Sequence, residues 1–254
     1  MKHLLVDPVG RRGWVNMSFD QALLDDADRL GTATLRLYRW DPPCLSLGRN
    51  ESTRHYDRAR IAQLGIDVVR RPTGGRAVWH EHEVTYAVAA PVDRFGSLRA
   101  AYCTIHQRLA AALRSLGADA TLAPTRPTAK PPNRLSACFS HPVGGEVLIA
   151  GCKVVGSAQL RQGDAFLQHG SILLGGAQET IEAVIRQPSA IRHQTSDVRT
   201  ATTLSAALGR SVTFEEVANA IMSTWGDGFS STAPYRPLPS LTALFSDPSW
   251  TWRR

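Results

Sequence analysis

The chain has 254 residues, of which 43% are hydrophobic, so it is long enough for one large domain with a sizeable core. It contains no run of about 18 apolar residues, which argues against a transmembrane helix, and its first residues lack the apolar segment of a signal peptide, so we expect a cytoplasmic protein. The formal charge of +7 favours an acidic partner, either nucleic acid or an acidic protein, and the even spread of the arginines disfavours nucleic acid.

The first half of the chain predicts helices that alternate with strands. Ser18 and Gln21 fit a capping box, which predicts a helix from Ser18 to about Leu30. Strands are predicted at 34–40, 66–70 and 83–88, and a further strand begins at residue 45. Two more helices are predicted at 56–64 and 98–116, and a glycine follows each of them.

The second half begins with a proline-rich loop at 124–135 and then predicts mainly strands. The strands are expected at 146–150, 153–160 and 165–174, and they are followed by helices at 178–185, 213–225 and 238–245. Thr213 and Glu216 form the clearest capping box of the chain. The mixture predicts an α+β fold, in which helices pack on a mixed or antiparallel sheet.

One lysine stands out against an arginine-rich background. Of the 29 Lys and Arg residues only three are lysines, and Lys153 lies between Gly151 and Gly156 in a predicted strand. Lysine can lose its proton in a suitable environment whereas arginine does not, so a retained lysine is a candidate for chemistry. The alternatives are a solvent-facing strand residue or a lysine kept for a structural ion pair.

A glycine turn flanked by arginines follows the strand at 66–70. In Arg70-Arg71-Pro72-Thr73-Gly74-Gly75-Arg76 the glycines let backbone N–H groups approach a ligand, and the arginines suit a phosphate or carboxylate. The segment lacks the Gly-x-x-x-x-Gly-Lys-Ser/Thr pattern of a P-loop. A simple hairpin with surface arginines is the alternative.

Cys138 directly follows the proline-rich loop. A cysteine at the border of a loop is reactive when it is partly exposed and a nearby cation stabilises its thiolate. The alternative is a small buried apolar residue, which is the role we assign to Cys44, Cys103 and Cys152. Because the chain has no C-x-x-C pair and no export signal, we expect free thiols and no zinc or dithiol site.

Histidines occur in two polar segments. Gln168-His169-Gly170-Ser171 interrupts an apolar strand, so these side chains either line a pocket or are satisfied core groups. His80-Glu81-His82-Glu83 places two histidines on one strand face without the spacing of a metal site or a third ligand. We therefore expect no metal.

Three motifs in this order resemble the biotin/lipoate cofactor transferase family. They are Arg70-Arg71-x-x-Gly74-Gly75-x-Ala77-Val78-x-His80, Gly151-x-Lys153-Val154-x-Gly156-Ser157-Ala158-Gln159 and Leu167-Gln168-His169-Gly170-Ser171-Ile172-Leu173-Leu174. The similarity runs from about Ser18 to Thr180 and more weakly to Trp225. Glu83-Val84-Thr85-Tyr86 and Ser136-Ala137-Cys138-Phe139 resemble the cysteine-dependent octanoyltransferases of that family, and Gly144-Gly145-Glu146 departs from the bulkier stretch usual there.

The resemblance implies one catalytic domain at 1–254, with its core at about 18–225, the biotin/lipoate ligase fold and no large C-terminal accessory domain. It also implies transfer of an octanoyl group from octanoyl-acyl carrier protein to a lysine of a lipoyl-accepting protein, which is the glycine cleavage H protein or a dehydrogenase lipoyl domain. The catalytic residues would be Cys138, as the nucleophile that forms a thioester, and Lys153 beside it.

The resemblance further implies which residues bind the substrate. The glycine loop, His80 and the Gln168–His169 strand would line the acyl pocket and help polarise the carbonyl. The full set is Arg71, Gly74, Gly75, Arg76, Ala77, His80, Gly156, Ser157, Ala158, Gln168, His169 and Gly170. We expect a monomer that needs no cofactor and binds neither nucleic acid nor a membrane.

Two other functions remain open from the sequence. An ATP-dependent lipoate or octanoate ligase of the same fold would not need Cys138. A non-catalytic module would only bind lipoyl domains, and the presence of both Cys138 and Lys153 argues against it.

Overall fold

A computed structural model describes residues 3–124, 144–176, 178–186, 201–226, 230–231 and 235–254. In these ranges the chain forms helices that we number α1 Gly13–Leu30, α2 Arg58–Gln63, α3 Leu98–Ser115, α4 Leu204–Leu208, α5 Phe214–Trp225, α6 Pro239–Ser246 and α7 Pro248–Thr251. The strands are β1 His3–Arg11, β2 Thr34–Trp40, β3 Cys44–Leu47, β4 Asp67–Arg70, β5 Val78–His80, β6 Glu83–Pro91, β7 Ala120–Leu122, β8 Val147–Ile149, β9 Cys152–Lys153, β10 Val155–Gln162, β11 Ala165–Leu173 and β12 Ser230–Ser231.

The largest sheet has six strands in the order β10-β11-β6-β2-β1-β12. The pairs from β10 to β2 are antiparallel, whereas β1 runs parallel to both β2 and β12. A mixed sheet with packed helices confirms the predicted α+β fold.

Helices cover both faces of this sheet, because apolar side chains project from its strands towards both faces. On β2, Leu35 and Leu37 join the core under α3 and α5, whereas Tyr38 and Trp40 join the core under α1 and α6. Successive side chains of a strand point to opposite faces, so a run that is buried on both faces is apolar nearly throughout. The sheet therefore forms the middle of three layers.

Two small sheets lie beside the large one. In the first, with the order β4-β3-β5, β3 pairs parallel with β4 and antiparallel with β5. The glycine turn at 71–77 therefore crosses over β3 and does not close a hairpin, so the hairpin alternative is wrong. The second sheet, β7-β8-β9, is antiparallel and ends in Lys153.

Two predicted boundaries differ from the structure. The first helix begins at Gly13 and not at Ser18, whose hydroxyl donates to the Trp14 carbonyl at 2.7 Å inside the helix. The predicted strand 153–160 is divided at Val154 into β9 and β10, which belong to different sheets. β1 was not predicted, because Asp7, Pro8 and Gly10 give it the composition of a turn.

The remaining predicted elements form with small changes at their ends. Residues 178–184 form a 3-10 helix where an α-helix was expected. The proline-rich loop falls mostly outside the described residues. No helix in the described part of the chain combines the length and hydrophobicity that a membrane span requires.

Candidate active site

Lys153 is buried and paired with a carboxylate. Its Nζ donates to Glu146 Oε1 at 2.7 Å, and the two side chains are 2% and 3% exposed. The neighbouring Cys152 is only half-buried, in keeping with the alternation of β9. The solvent-facing alternative for Lys153 is therefore wrong, whereas the ion pair that the sequence left open is present.

The backbone around Lys153 fixes it in a tight hairpin. Ala150 and Gly151 turn the chain between β8 and β9 with positive φ angles of 50° and 77°. Lys153 then pairs with Leu148, and its carbonyl accepts from Thr202 N–H at 2.9 Å. Three residues after Lys153 the chain reaches Gly156, at most about 10 Å away along an extended strand.

Gly156 lies on the wall of a pocket between the six-stranded sheet, the β4-β3-β5 sheet and α1, which has about 360 Å³ of empty space including its opening to solvent. Seven of the predicted substrate-binding residues line it, namely Arg71, His80, Gly156, Ser157, Ala158, His169 and Gly170. The other seven lining residues were not in the predicted substrate-binding set, although Ser171 belongs to the polar segment for which the sequence left pocket lining open; they are Met17, Tyr38, Trp40, Ser46, Val78, Thr85 and Ser171.

The remaining predicted residues do not line this pocket. Gly74, Gly75 and Arg76 form the adjoining turn, Ala77 is buried in the cluster around Tyr56, and Gln168 is buried behind the wall. Cys138, the predicted nucleophile, lies outside the described residues.

Arg71 braces the glycine turn from inside. Its guanidinium donates to the Ser46 carbonyl and hydroxyl and to the carbonyls of Gly74 and Arg76, over 2.6–3.0 Å. Gly75 has a φ of 96°, and a Cβ there would lie 2.9 Å from Arg71 Nη2. Arg70 and Arg71 are 0% and 5% exposed, so neither is a surface arginine.

His80 is held by partners on both ring nitrogens. Nδ1 lies 2.9 Å from Glu83 Oε1 and Nε2 lies 2.7 Å from Ser46 Oγ. Because a carboxylate accepts, Nδ1–H donates to Glu83, and in the neutral tautomer that this contact selects Nε2 accepts from Ser46. The ring stacks on Trp40 with centroids 4.0 Å apart. Glu83 Oε2, behind the wall, has no hydrogen-bond partner among the described residues.

His169 is held in the same way. Nδ1 lies 2.8 Å from Asp20 Oδ2 and Nε2 lies 2.6 Å from Thr73 Oγ1, so Asp20 accepts from Nδ1–H and, in the neutral tautomer, Thr73 donates to Nε2. Thr73 directly precedes the glycine turn, and this contact fastens the turn to β11. With both ring nitrogens occupied, neither His80 nor His169 directs an N–H at the pocket.

A third buried group lies behind Ser157. The Ser157 hydroxyl is 2.6 Å from the Tyr86 hydroxyl and 2.8 Å from His106 Nε2. Gln168 donates to Tyr86 at 3.1 Å. Burial, opposed by the Gly145 carbonyl and reinforced by the charge of Lys153, lowers the pKa of His106 to about 4, so this imidazole is neutral. The helical periodicity of α3 gave no indication of this role.

These contacts decide what the pocket offers a ligand. Its polar lining groups are hydrogen-bonded to one another or to buried partners, and the surfaces left to the cavity are mostly rings, methylenes and strand backbone. Such a cavity suits an alkyl chain.

Neither the described cysteine buried near the site nor the two histidines of the 80–83 segment forms a reactive or metal-binding centre in the structure. Cys44 is fully buried, and burial raises the pKa of its thiol well above the usual range, which makes it unreactive. His80 is buried whereas the His82 side chain is 64% exposed, so the two do not face one site as the alternation suggested. Within the described ranges, no three His, Cys, Asp or Glu side chains gather as metal ligands would.

The architecture of the whole is that of the lipoate-protein ligases. A crystal structure of lipoate-protein ligase A bound with ATP superposes with a TM-score of 0.77 at 20% identity, over 99% of this chain and 98% of that one. The bipartite lipoate protein ligase of Thermoplasma acidophilum, described with its E2 lipoyl domain, gives a TM-score of 0.74 at 20% identity, over 99% and 97%. At this identity the likeness establishes the fold.

The family follows from sequence. The family described as lipoyl protein ligase A/B catalytic domain matches residues 12–226, and the chain belongs to it. The octanoyltransferase LipM of Moorella thermoacetica is 40% identical over 181 residues, which span 69% of this chain and 66% of that protein. The octanoyltransferase LipM of Carboxydothermus hydrogenoformans is 34% identical over 233 residues, which span 88% and 85%.

Proposed function

We propose that the protein is an octanoyltransferase of lipoate biosynthesis. It moves an octanoyl group from octanoyl-acyl carrier protein to a lysine of a lipoyl-accepting protein. The observation that carries the proposal is a pocket with a mostly apolar inner surface. Gly156 on its wall follows buried Lys153 by only three residues in the chain. The similarity to octanoyltransferases named LipM supports the same activity.

The pocket would hold the acyl chain. Its lining leaves mostly apolar surface to the cavity, which suits an alkyl chain. Trp40 and Val78 offer apolar surface there, and Gly156 and Gly170 let the strands approach closely. Burial of the chain would supply most of the binding free energy.

The chemistry divides into two thioester steps. The Cys138 thiolate attacks the donor carbonyl, a C–S bond forms, and the departing thiolate of the carrier takes a proton from the Lys153 ammonium. The acceptor amine then attacks the enzyme thioester and gives its surplus proton to the neutral Lys153 amine, while the Cys138 thiolate leaves. One proton is passed on in each step, so the free enzyme returns to its first charge state.

An acidic donor would dock beside the glycine turn. Three exposed arginines meet there, Arg49, Arg253 and Arg254, which we call the arginine lip. Arg49 N–H donates to the Thr73 carbonyl at 2.8 Å, and Arg253 donates to the Arg49 carbonyl at 3.1 Å. Burial and then the charges of Arg49 and Arg254 lower the pKa of Arg253, as expected where like charges crowd. Such a cluster attracts an acidic carrier protein.

We further propose that 1–254 acts as one catalytic domain in the cytoplasm and as a monomer. The segment after α5 packs back on the core, since Phe245 and Trp250 contact the cluster around Met17. The described cysteines are free thiols, which fits a reducing compartment.

The deciding experiment is intact-protein mass spectrometry with octanoyl-acyl carrier protein and no ATP, on wild type and on Cys138→Ala. We expect a gain of one octanoyl group that hydroxylamine removes and that the variant lacks. If the wild type gains no adduct, the transferase proposal is wrong. The assay repeated with octanoate, ATP and an acceptor domain then tests the ATP-dependent ligase.

A further inference from the structure

The partner of Lys153 is a residue that the sequence did not identify. Glu146 directly precedes β8, where Gly145 N–H donates to the Ala123 carbonyl at 2.9 Å and Ala123 N–H donates to the Glu146 carbonyl at 2.8 Å. These two bonds fix the backbone on which the carboxylate is mounted. Taken as whole residues, Glu146 is 2% exposed and Lys153 1%, so the pair is almost completely shielded from water.

A pair of this kind is a poor way to stabilise a fold. Removing two charges from water costs as much as their attraction returns, and apolar residues of similar volume often replace such pairs without loss. In this protein 26 of the 29 basic residues are arginines, and Arg36, Arg70 and Arg71 are buried like Lys153, yet the position beside Glu146 carries lysine. A lysine that is kept and paired in the interior therefore points to a use of its proton.

We propose that Glu146 is a positioning residue for Lys153: its carboxylate keeps the Lys153 side chain charged in the free enzyme and holds Nζ in one place through the acyl-transfer cycle. The proposal rests on the function proposed above for its catalytic consequence. The charge state of Lys153, however, is measurable without any substrate.

Among the described residues, the two titratable groups whose pKa responds to the charges of this pair are neutral. His106 of α3 senses the charge of Lys153 and has a pKa of about 4, chiefly because it is buried. Tyr86 of β6 senses the charge of Glu146, and burial raises the pKa of its hydroxyl. Neither group carries charge at neutral pH, so neither opposes the ammonium form of Lys153.

The pairing assigns an order to the proton transfers. A charged Lys153 in the free enzyme is an acid first, and it protonates the carrier thiolate that leaves. It becomes a base only in the acyl-enzyme, when the acceptor amine arrives. Glu146 remains a carboxylate in both stages, and its negative charge beside the neutral amine of the acyl-enzyme favours return of a proton to Nζ.

Lysine NMR tests the charge directly, because the full chain has only three lysines. Protein labelled with ¹³C at the lysine ε-carbons gives three signals, and Lys153→Arg identifies the one from Lys153. In Glu146→Gln we expect the titration midpoint of Lys153 to fall by ~1 pH unit or more relative to wild type. The signals of Lys2 and Lys130 are the internal reference. An unchanged midpoint for Lys153 would overturn the proposal.

Kinetics provide the second readout. The alkaline limb of single-turnover acylation of Cys138 should move to lower pH in Glu146→Gln, whereas Glu146→Asp, which keeps the charge on a shorter side chain, should move it in the same direction by a smaller amount. Glu215→Gln, an exposed charge removal on α5, is the matched control and should leave the limb in place.

Two outcomes separate this proposal from its basis. If Glu146→Gln does not fold, Glu146→Asp should still lower the NMR midpoint by a smaller amount, and no shift in that variant would overturn the proposal. If Lys153 shifts as expected but the wild type forms no acyl-enzyme, the positioning role stands and the octanoyltransferase proposal fails.

Discussion

His169 Nδ1 donates a hydrogen bond of 2.8 Å to Asp20 Oδ2, although 149 positions of sequence separate the two residues. The same carboxylate accepts from Arg36 at 2.9 Å and from the Tyr38 hydroxyl at 2.8 Å. The Asp20 and Arg36 side chains are 0% and 1% exposed. One carboxylate of α1 therefore fastens β2 and β11, the two strands that carry much of the pocket wall, to the helix.

Asp20→Asn should destabilise the protein severely. The change leaves the buried Arg36 guanidinium without its closest counter-charge, and breaking a buried pair in this way costs about 3–5 kcal/mol. Urea unfolding measures the loss. Asp164→Asn is the control, because its partner Arg161 is exposed and such surface pairs contribute about 0–1 kcal/mol. Equal losses in the two variants would contradict the role of Asp20.

Gly170→Ala should force β10 and β11 apart. A Cβ at Gly170 would lie 2.4 Å from the Gly156 carbonyl oxygen and 2.6 Å from Ser157 Oγ, so backbone must move. Overpacking of this kind costs about 1–3 kcal/mol and would distort the pocket. The midpoint temperature of thermal unfolding and the rate of acyl transfer should both fall. Gly175→Ala, whose new Cβ would meet its nearest neighbour at 3.8 Å, should change neither measurement.

His106 should make the protein less stable at acid pH. Its pKa falls from 6.5 to about 4 on folding, so between these values the unfolded chain takes up a proton that the native state refuses. The contribution of His106 to the free energy of unfolding is therefore fully present above pH 6.5 and is lost as the pH falls towards 4.

Comparison with His106→Gln isolates this effect. Glutamine keeps a polar contact for Ser157 without a titrating ring. From pH 7 to pH 5 the wild type should lose about 2 kcal/mol more unfolding free energy than the variant. Lowered pKa values of Glu216 and Asp247 also favour acid unfolding, but these residues are present in both proteins and cancel. Urea titrations of both proteins at pH 7 and pH 5 measure the difference in unfolding free energy between them. That difference should change by this amount between the two pH values, and an equal difference at both would contradict the role of His106.

Arg49→Gln with Arg253→Gln should weaken recognition of the carrier protein. Removal of two charges from the arginine lip should raise KM for octanoyl-acyl carrier protein about tenfold at low salt and leave kcat almost unchanged. The effect should shrink as salt is added, since exposed charges are screened. Arg94→Gln with Arg161→Gln removes the same charge from other exposed positions. An equal change in KM for that pair would mean that net charge alone matters.

Lys153→Arg should nearly abolish acyl transfer while the protein remains folded. Arginine preserves the positive charge opposite Glu146 but does not release a proton, so protonation of the leaving thiolate is lost. We expect single-turnover acylation to slow about 100-fold or more. Circular dichroism and the unfolding midpoint check the fold. A folded variant with wild-type kinetics would exclude proton transfer by Lys153.

The sequence predicted elements correctly where their determinants are local. Thr213 Oγ1 accepts from Glu216 N–H at 3.2 Å and Glu216 Oε2 accepts from Thr213 N–H at 2.8 Å, so the capping box lies within four residues. Ser18 and Gln21 have the same pattern, yet the helix starts earlier because Gly13 N–H donates to Asp67 Oδ2 at 2.7 Å. A cap supplied from 54 positions away leaves no mark in the local pattern.

The same distinction explains the site. Lys153 was identifiable because lysine is rare in this chain, and His80, His169 and Gly170 because they belong to ordered motifs. Asp20 and His106 were not, because each lies in a helix and acquires its role from partners on distant strands. The division of 153–160 between two sheets was likewise invisible, since Val154 is as apolar as a continuous strand requires.

Because the polar groups of the wall are hydrogen-bonded to one another, the pocket should select acyl chains by their length. It offers an acyl chain almost no polar contact, so successive homologues should differ only in the number of methylenes buried. Each methylene contributes about 0.8 kcal/mol, or about fourfold in affinity, until the cavity is full. Because hydrogen bonds to Asp20, Glu83 and Ser46 hold the wall in place, the first chain that is too long meets side chains that do not yield. Selectivity should therefore rise in even steps and then end abruptly.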